Sequence, residues 1–107
     1  MKLLIQLRTP TEMASYEGCA LALTLATFGH DVQLYLDAPV FELLMQPESR
    51  LHGMIQSLEL YDMPAAWLPS DVFSGWLTGM LPTDLASQLS LMPDVIHSQD
   101  FEQILRF

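Results

Sequence analysis

The alternation of apolar and polar stretches divides the first third of the chain into a strand, a helix and a second strand. Residues 3–7 (LLIQL) and residues 32–36 (VQLYL) have the composition of strands. A long apolar helix between them ends at Gly29, a residue suited to the left-handed turn after a helix. Because such a unit crosses over right-handed, it predicts a parallel sheet.

The helix before Gly29 is predicted to be apolar on nearly every face. Its start has the pattern of a capping box, with Thr9 as the cap, Pro10 at the first helical position and Glu12 three residues after the cap. No side chain from Gly18 to Gly29 is charged. A helix that is apolar all round must be buried all round, and one small sheet cannot do this alone. The pattern therefore indicates a partner chain.

The pattern after the second strand predicts alternating helices and strands. Helices are expected over residues 40–45 and 48–60, and a third strand over residues 65–68. A cap signal at residues 69–71 introduces a short helical segment around residues 72–73.

The last third of the chain has a less regular pattern. Residues 76–81 fit an edge strand or a loop, and a helix begins at residues 82–84. Residues 94–97 fit a further strand, and residues 98–107 fit a helical turn or a final strand. The apolar face of the helix that begins at residues 82–84 is formed by Leu85, Leu89 and Met92.

Together these elements predict a single α/β domain over residues 1–107. We expect three layers, with a mostly parallel sheet of about four to five strands and helices on both faces. Half of the residues are hydrophobic and only 16% are charged. Because a small domain cannot bury so much apolar surface, the excess indicates a subunit interface and an oligomer.

The charge of the chain excludes several classes of function. The net charge is −9, and the four bases, Lys2, Arg8, Arg50 and Arg106, are scattered along the sequence. Direct nucleic-acid binding needs a basic stripe that releases counterions, and a polybasic membrane contact needs a similar cluster. We therefore expect neither direct nucleic-acid binding nor membrane binding.

The single cysteine, Cys19, excludes an internal disulfide framework and a zinc site built from several cysteines. It fits a reducing compartment. The start of the chain lacks the pattern of a signal peptide, and the longest uncharged runs fall short of the roughly 20 residues that span a bilayer. These features predict a soluble, cytoplasmic protein.

The candidate reactive residues have simpler structural interpretations. Cys19 lies in the middle of the first helix and is predicted to be an inert, buried thiol. His30, His52 and His97 share no metal-ligand spacing and are predicted to be surface residues. We therefore predict no catalytic, cofactor-binding or metal-binding residue. The carboxylates Glu12, Glu17, Glu42 and Glu48 fit solvated helix faces.

The turn after the first strand is where an open α/β sheet binds ligands. Residues 8–11 (RTPT) offer hydroxyl groups and one cation there, without a glycine-rich cradle or a Walker lysine. Glu12 would repel a phosphate. A plain cap is the favoured interpretation, and a flavin or nucleotide site is the alternative.

Several segments of the chain match short motifs in the same order. They are residues 16–18 (YEG) before an Ala/Leu-rich helix, residues 37–44 (DAPVFELL), residues 57–63 (SLELYDM) and residues 103–107 (QILRF). Together they resemble the DsrE/DsrF-like sulfur-relay proteins, and the last two resemble the TusC/DsrF branch in particular. Residues 94–96 (DVI) are an alternative match to the last of these motifs, in place of residues 103–107.

The resemblance implies a subunit of a heterohexamer with TusB/DsrH-like and TusD/DsrE-like partners. In that family, a cysteine just after the third strand of the TusD/DsrE-type chain carries sulfur as a persulfide. The matching residues here, 68–70 (LPS), contain no cysteine, and Cys19 does not match the carrier position. The resemblance therefore implies a non-catalytic subunit that supports sulfur transfer for tRNA wobble 2-thiouridine formation, or for sulfur oxidation.

Two alternatives remain open at the level of sequence. In the first alternative, the chain is a sulfurtransferase that uses Cys19. In the second, it is a flavodoxin-like module that binds a small ligand. The chain is also shorter than a typical family member between Asp71 and Pro82, so the strand count there is open.

Overall fold

Five short strands form one parallel sheet in the structure, a computed structural model that describes residues 2–93 and 100–107. The strands lie in the order β4-β3-β2-β1-β5, and every pair is parallel. The predicted α/β class with a parallel sheet is confirmed. The strands are β1 (Lys2–Leu7), β2 (Asp31–Leu36), β3 (Ala66–Leu68), β4 (Leu89–Leu91) and β5 (Gln103–Arg106).

Helices connect the first four strands. The first helix, α1, packs against β1, β2 and α3, and α3 also contacts α2 and α5. Short 3₁₀ turns at Ala38–Val40 and Leu58–Tyr61 precede α2 and follow α3. The helices are α1 (Glu12–Thr27), α2 (Phe41–Met45), α3 (Arg50–Gln56), α4 (Val72–Met80) and α5 (Thr83–Ala86).

The hydrophobic core lies between these helices and the sheet. Alternate residues of the central strands enter it, because side chains along a strand point to opposite faces. Each large aliphatic side chain that is fully buried there contributes about 1.5–3 kcal/mol relative to exposure. The core residues of β1 and β2 are Leu3, Ile5, Leu7, Val32, Leu34 and Leu36.

The start of α1 differs from the predicted capping box. Thr11, not Thr9, is the cap, and its Oγ1 accepts a hydrogen bond from the Ala14 N–H at 3.3 Å. The Thr9 N–H instead donates to the Phe107 carbonyl at 3.1 Å, so a contact distant in sequence holds this turn outside the helix. Glu12 Oε1 accepts from the Arg50 N–H at 2.9 Å and thereby caps α3.

The end of α1 follows the prediction. Gly29 has a φ of +89°. Its N–H donates to the Ala26 carbonyl, and the His30 N–H donates to the Leu25 carbonyl, which satisfies the last carbonyls of the helix. The left-handed stop at Gly29 is confirmed.

The predicted burial of α1 on all sides is not reached within this chain. Its inner face, which includes Gly18 and Cys19, is buried, whereas Met13 is 70% exposed and Phe28 is 75% exposed. The exposed side of the helix therefore combines Met13 and Tyr16 with polar residues such as Glu17 and Thr24. Among residues 2–93 and 100–107, no helix combines the length and apolar content that crossing a membrane requires.

The last third of the chain corrects two predictions and confirms a third. Residues 76–81, predicted as an edge strand or a loop, belong mostly to α4, and Leu89 lies in β4 instead of extending the helix from residue 83. Of the two alternatives for the tail, the strand is confirmed by β5. The strand predicted at residues 94–97 lies outside the described residues.

Candidate functional site

Cys19 lies inside the core and has no access to solvent. Its side chain is 0% exposed in the middle of α1, as the sequence predicts. Burial raises the pKa of the Cys19 thiol to about 12, because the thiolate would lose its hydration. The thiolate is the form that attacks sulfur or carbon, so the native chain holds this cysteine in an unreactive state at neutral pH.

The segment after β3 is the position that the resemblance assigns to a sulfur carrier. It presents Pro69, Ser70 and Asp71, and Ser70 is exposed. Asp71 Oδ1 accepts a hydrogen bond from the Ser74 N–H at 2.7 Å and caps α4. A hydroxyl and a capping carboxylate occupy the place where a persulfide carrier would need a thiol.

The turn after β1 uses its backbone donors internally. The N–H groups of Arg8 and Thr9 both donate to the Phe107 carbonyl, at 2.8 and 3.1 Å, and Pro10 has no N–H. The Phe107 ring lies close to Gly18, since a Cβ built there would be 2.9 Å from Phe107 Cγ. Residues 8–10 therefore offer no free backbone donor to a phosphate, which counts against a flavin or nucleotide site in this turn.

A chain of polar contacts links β5, β1 and the end of β2. Arg106 Nε donates to Gln6 Oε1 at 3.1 Å, and Gln6 Nε2 donates to Asp37 Oδ2 at 3.2 Å. Burial raises the pKa of Tyr35 nearby, and the carboxylates of Asp37 and Asp71 raise it further. Tyr35 therefore stays protonated, and these contacts connect neighbouring strands without preparing a nucleophile.

The two histidines that the structure describes, His30 and His52, belong to no cluster of metal ligands among the described residues. His52, predicted to lie on the surface, is only 4% exposed, and its Nδ1 lies 2.7 Å from the Leu44 carbonyl. The prediction is wrong for His52, because its ring lies inside the chain against the Leu44 carbonyl of α2. His30 is half-buried beyond α1, and His97 lies outside the described residues. Among the residues that are described, no three His, Cys, Asp or Glu side chains group as a metal site would require.

A cavity of about 390 Å³ lies at the amino ends of β1 and β2, opposite to the edge where open α/β sheets bind ligands. Its lining includes Lys2, Asp31 and Asp62. The Lys2 Nζ lies 5.5 Å from the centre of the Phe101 ring, so its charge already faces an aromatic surface. The mixed charges of the lining specify no single class of ligand.

Two helices carry large apolar side chains on their outer surfaces. At the two ends of α1, Met13 in its first turn and Phe28 just after its last residue are exposed. On α4, Phe73, Trp76 and Met80 are 52%, 64% and 54% exposed, and we call these three residues the α4 ridge. The sequence pattern did not predict the α4 ridge, since α4 was not expected to continue beyond residue 73.

Comparison of the chain with family models, with curated proteins and with solved structures finds no match. The resemblance to the DsrE/DsrF-like proteins therefore stays a prediction from the motifs at residues 16–18, 37–44, 57–63 and 103–107.

Proposed function

We propose that this chain is a non-catalytic subunit of a TusBCD/DsrEFH-like heterohexameric sulfur relay. In this proposal it works in the cytoplasm and supports persulfide transfer toward 2-thiouridine at the wobble position of tRNA. The observation that carries the proposal is the combination of a buried thiol with the exposed apolar side chains of α4 and those at the two ends of α1. A subunit that assembles a complex needs the second feature and does not need a reactive group of its own.

The buried thiol separates this proposal from the sulfurtransferase alternative. A persulfide donor must bring its sulfur within bonding distance of a thiolate, and Cys19 is 0% exposed with a pKa raised to about 12. Ser70, at the carrier position of the family, cannot form a persulfide. In the proposed complex the sulfur therefore travels on the cysteine of a partner chain.

The exposed apolar residues support assembly with other chains. Large apolar side chains are costly to leave in water, and a contiguous patch such as the α4 ridge marks a protein interface. The net charge of −9 opposes direct contact with tRNA, so the complex would meet its RNA through another chain.

The first test is the content of 2-thiouridine in tRNA from cells that lack this chain, measured by liquid chromatography and mass spectrometry of tRNA hydrolysates. We expect the modification to be lost and to be restored by the wild-type chain and by Cys19→Ala. Met13→Asp, on the outer face of α1, should fail to restore it. Leu60→Asp, at a residue that is 84% exposed outside α1 and α4, is the matched control and should restore it.

A second measurement identifies the partners. Tagged chain purified from cells should bring down two small homologous chains, and after incubation with a persulfide donor one of them should gain 32 Da on a cysteine. Normal 2-thiouridine in the deletion strain contradicts the proposed role in tRNA modification. Loss of relay activity in a folded Cys19→Ala variant would instead support the Cys19 alternative.

A further inference from the structure

The outward side of α4 is apolar and carries no charge. Asp71 caps the helix, and Ser74 and Leu77 are buried beneath it. The α4 ridge stands beside these buried residues, and the rings of Phe73 and Trp76 lie 6.1 Å apart in it. Phe73 also stacks on Phe41 of α2 at 6.0 Å, so the ridge is anchored at one end. The result is a firmly held apolar surface that nothing in the described part of the chain covers.

Two glycines form a groove beside this ridge. Gly75 and Gly79 are exposed, and a Cβ built at either position would meet no atom within 4 Å. Neither glycine has a positive φ, so an alanine would fit and would favour the helix. The backbone of α4 is therefore open to close approach beside a row of large side chains. Ridges that fit into grooves in this way are the usual geometry of helix–helix packing.

The charged residues that adjoin the α4 ridge in sequence or through Phe41 are negative. The sequence between Arg50 and Arg106 contains no lysine or arginine. Asp71 lies at the start of the helix, and the exposed Glu42 follows the phenylalanine that stacks on the ridge. A second copy that docked through the same face would bring these carboxylates together, whereas a partner with basic edges would neutralise them.

We propose that the α4 ridge and the groove at Gly75 and Gly79 receive an amphipathic helix of another protein, with an apolar stripe edged by lysine or arginine. The apolar stripe covers the ridge, one of its side chains enters the glycine groove, and its cations face Asp71 and Glu42. The inference goes beyond the proposed sulfur relay, because it rests only on the shape and charge of this chain.

Fluorescence of Trp76 tests the inference directly. A Trp67→Phe variant, confirmed as folded by circular dichroism, keeps Trp76 as its only tryptophan. The probe is a synthetic amphipathic helix of leucine and lysine, and its counterpart has glutamate in place of lysine. We expect the lysine peptide to shift Trp76 emission to shorter wavelength, with weaker binding at higher NaCl concentration. The glutamate peptide should leave the emission unchanged.

Substitutions in the groove separate docking from general attraction between opposite charges. Gly79→Leu fills the groove while favouring the helix, so it should weaken peptide binding at least tenfold without lowering the stability of the chain. Leu60→Ser, at an equally apolar and exposed residue outside α4, is the matched control and should bind as the parent does. Equal binding by Gly79→Leu, or by the glutamate peptide, overturns the inference.

Sedimentation of the purified chain tests whether a second copy of the chain, and not a helix of another protein, occupies the α4 ridge. A monomer that binds the lysine peptide supports the inference. A stable dimer that Gly79→Leu dissociates overturns it, because the ridge would then belong to a second copy. These measurements use the isolated chain, so their outcome for the docking inference does not depend on the 2-thiouridine measurement.

Discussion

Gly18 is the residue at which α1 comes closest to the sheet and to the end of β5. It is buried, and a Cβ built there would collide with Leu7 Cδ2 and lie 2.9 Å from Phe107 Cγ. Leu7 is fully buried and cannot move aside without disturbing its neighbours in the core. The absence of a side chain at residue 18 therefore sets the distance between the helix and the sheet.

Gly18→Ala should lower the free energy of unfolding by about 1–3 kcal/mol, which is the usual cost of overpacking a core. Gly53→Ala is the matched control, since it is also a helical glycine but a Cβ there would meet nothing within 4 Å. It should raise the free energy of unfolding by about 0.5–1 kcal/mol through helix propensity. Urea unfolding followed by circular dichroism measures both. Equal effects of the two substitutions would contradict the packing described for Gly18.

His52 shows why single residues are difficult to place from sequence. It was predicted to be a surface residue because the histidines share no metal-ligand spacing, but it is buried with Nδ1 2.7 Å from the Leu44 carbonyl. That carbonyl belongs to the short helix α2, whose orientation depends on tertiary packing. The burial of Cys19, in contrast, followed from its immediate neighbours Gly18 and Ala20 in an uncharged run.

The contact between α1 and α3 contains a cap that joins two helices. Glu12 lies in the first turn of α1, and its Oε1 accepts from the Arg50 N–H at 2.9 Å. The Arg50 guanidinium lies 4.8 Å from the centre of the Tyr16 ring, one turn further along α1. A carboxylate at the start of α3 satisfies a free N–H and interacts favourably with the helix dipole.

Glu12→Ala should therefore lower the free energy of unfolding by about 0.5–2 kcal/mol, the usual range for loss of a helix cap. Glu17→Ala is the control on the same helix, because Glu17 is exposed on the outer side. It should change stability by less than about 0.5 kcal/mol. Chemical unfolding of the two variants in parallel measures the difference. If Glu17→Ala costs as much as Glu12→Ala, general helix charge and not the cap accounts for the effect.

Helices and strands whose own residues form a clear pattern were predicted. Those whose structure depends on distant parts of the chain were not. β1, β2 and β3 follow from short apolar runs bounded by breaks, and α1 follows from a long apolar run that ends at Gly29. The helix α4 was predicted only at its start, because two glycines lower the helix propensity of its second half. The three-residue strand β4 was missed, because Leu89 falls four residues after Leu85 and continues a helical spacing.

The same distinction applies to the candidate functional surfaces. The lack of a thiol after β3 and the burial of Cys19 could be predicted, since both depend on residue type and near neighbours. The α4 ridge could not, because its three residues share a face only if residues 72–80 form a helix. An apolar surface is therefore visible from sequence only when its secondary structure is also predicted.

At the scale of the whole molecule, basic residues lie toward one edge of the sheet and are missing from the strands and helices toward the other. Lys2 and Arg106 lie on β1 and β5, at one edge of the order β4-β3-β2-β1-β5. No lysine or arginine lies on β3, α4, α5 or β4, toward the other edge. The carboxylates that give the chain its net charge of −9 therefore repel one another, and the few bases cannot balance this repulsion.

This repulsion predicts that salt stabilises the isolated chain. Raising NaCl from about 0.01 M to about 0.1 M shortens the Debye length from about 30 Å, close to the longest molecular dimension of 33 Å, to about 10 Å. Repulsion between distant carboxylates is then screened, so the midpoint of unfolding in urea, an uncharged denaturant, should rise. A variant with Glu42, Glu48 and Glu59 all changed to glutamine is the control, and its midpoint should rise less. A midpoint that falls with added salt would show that attractive ion pairs dominate, and the acidic half of the molecule would then not need a basic partner to offset its charge.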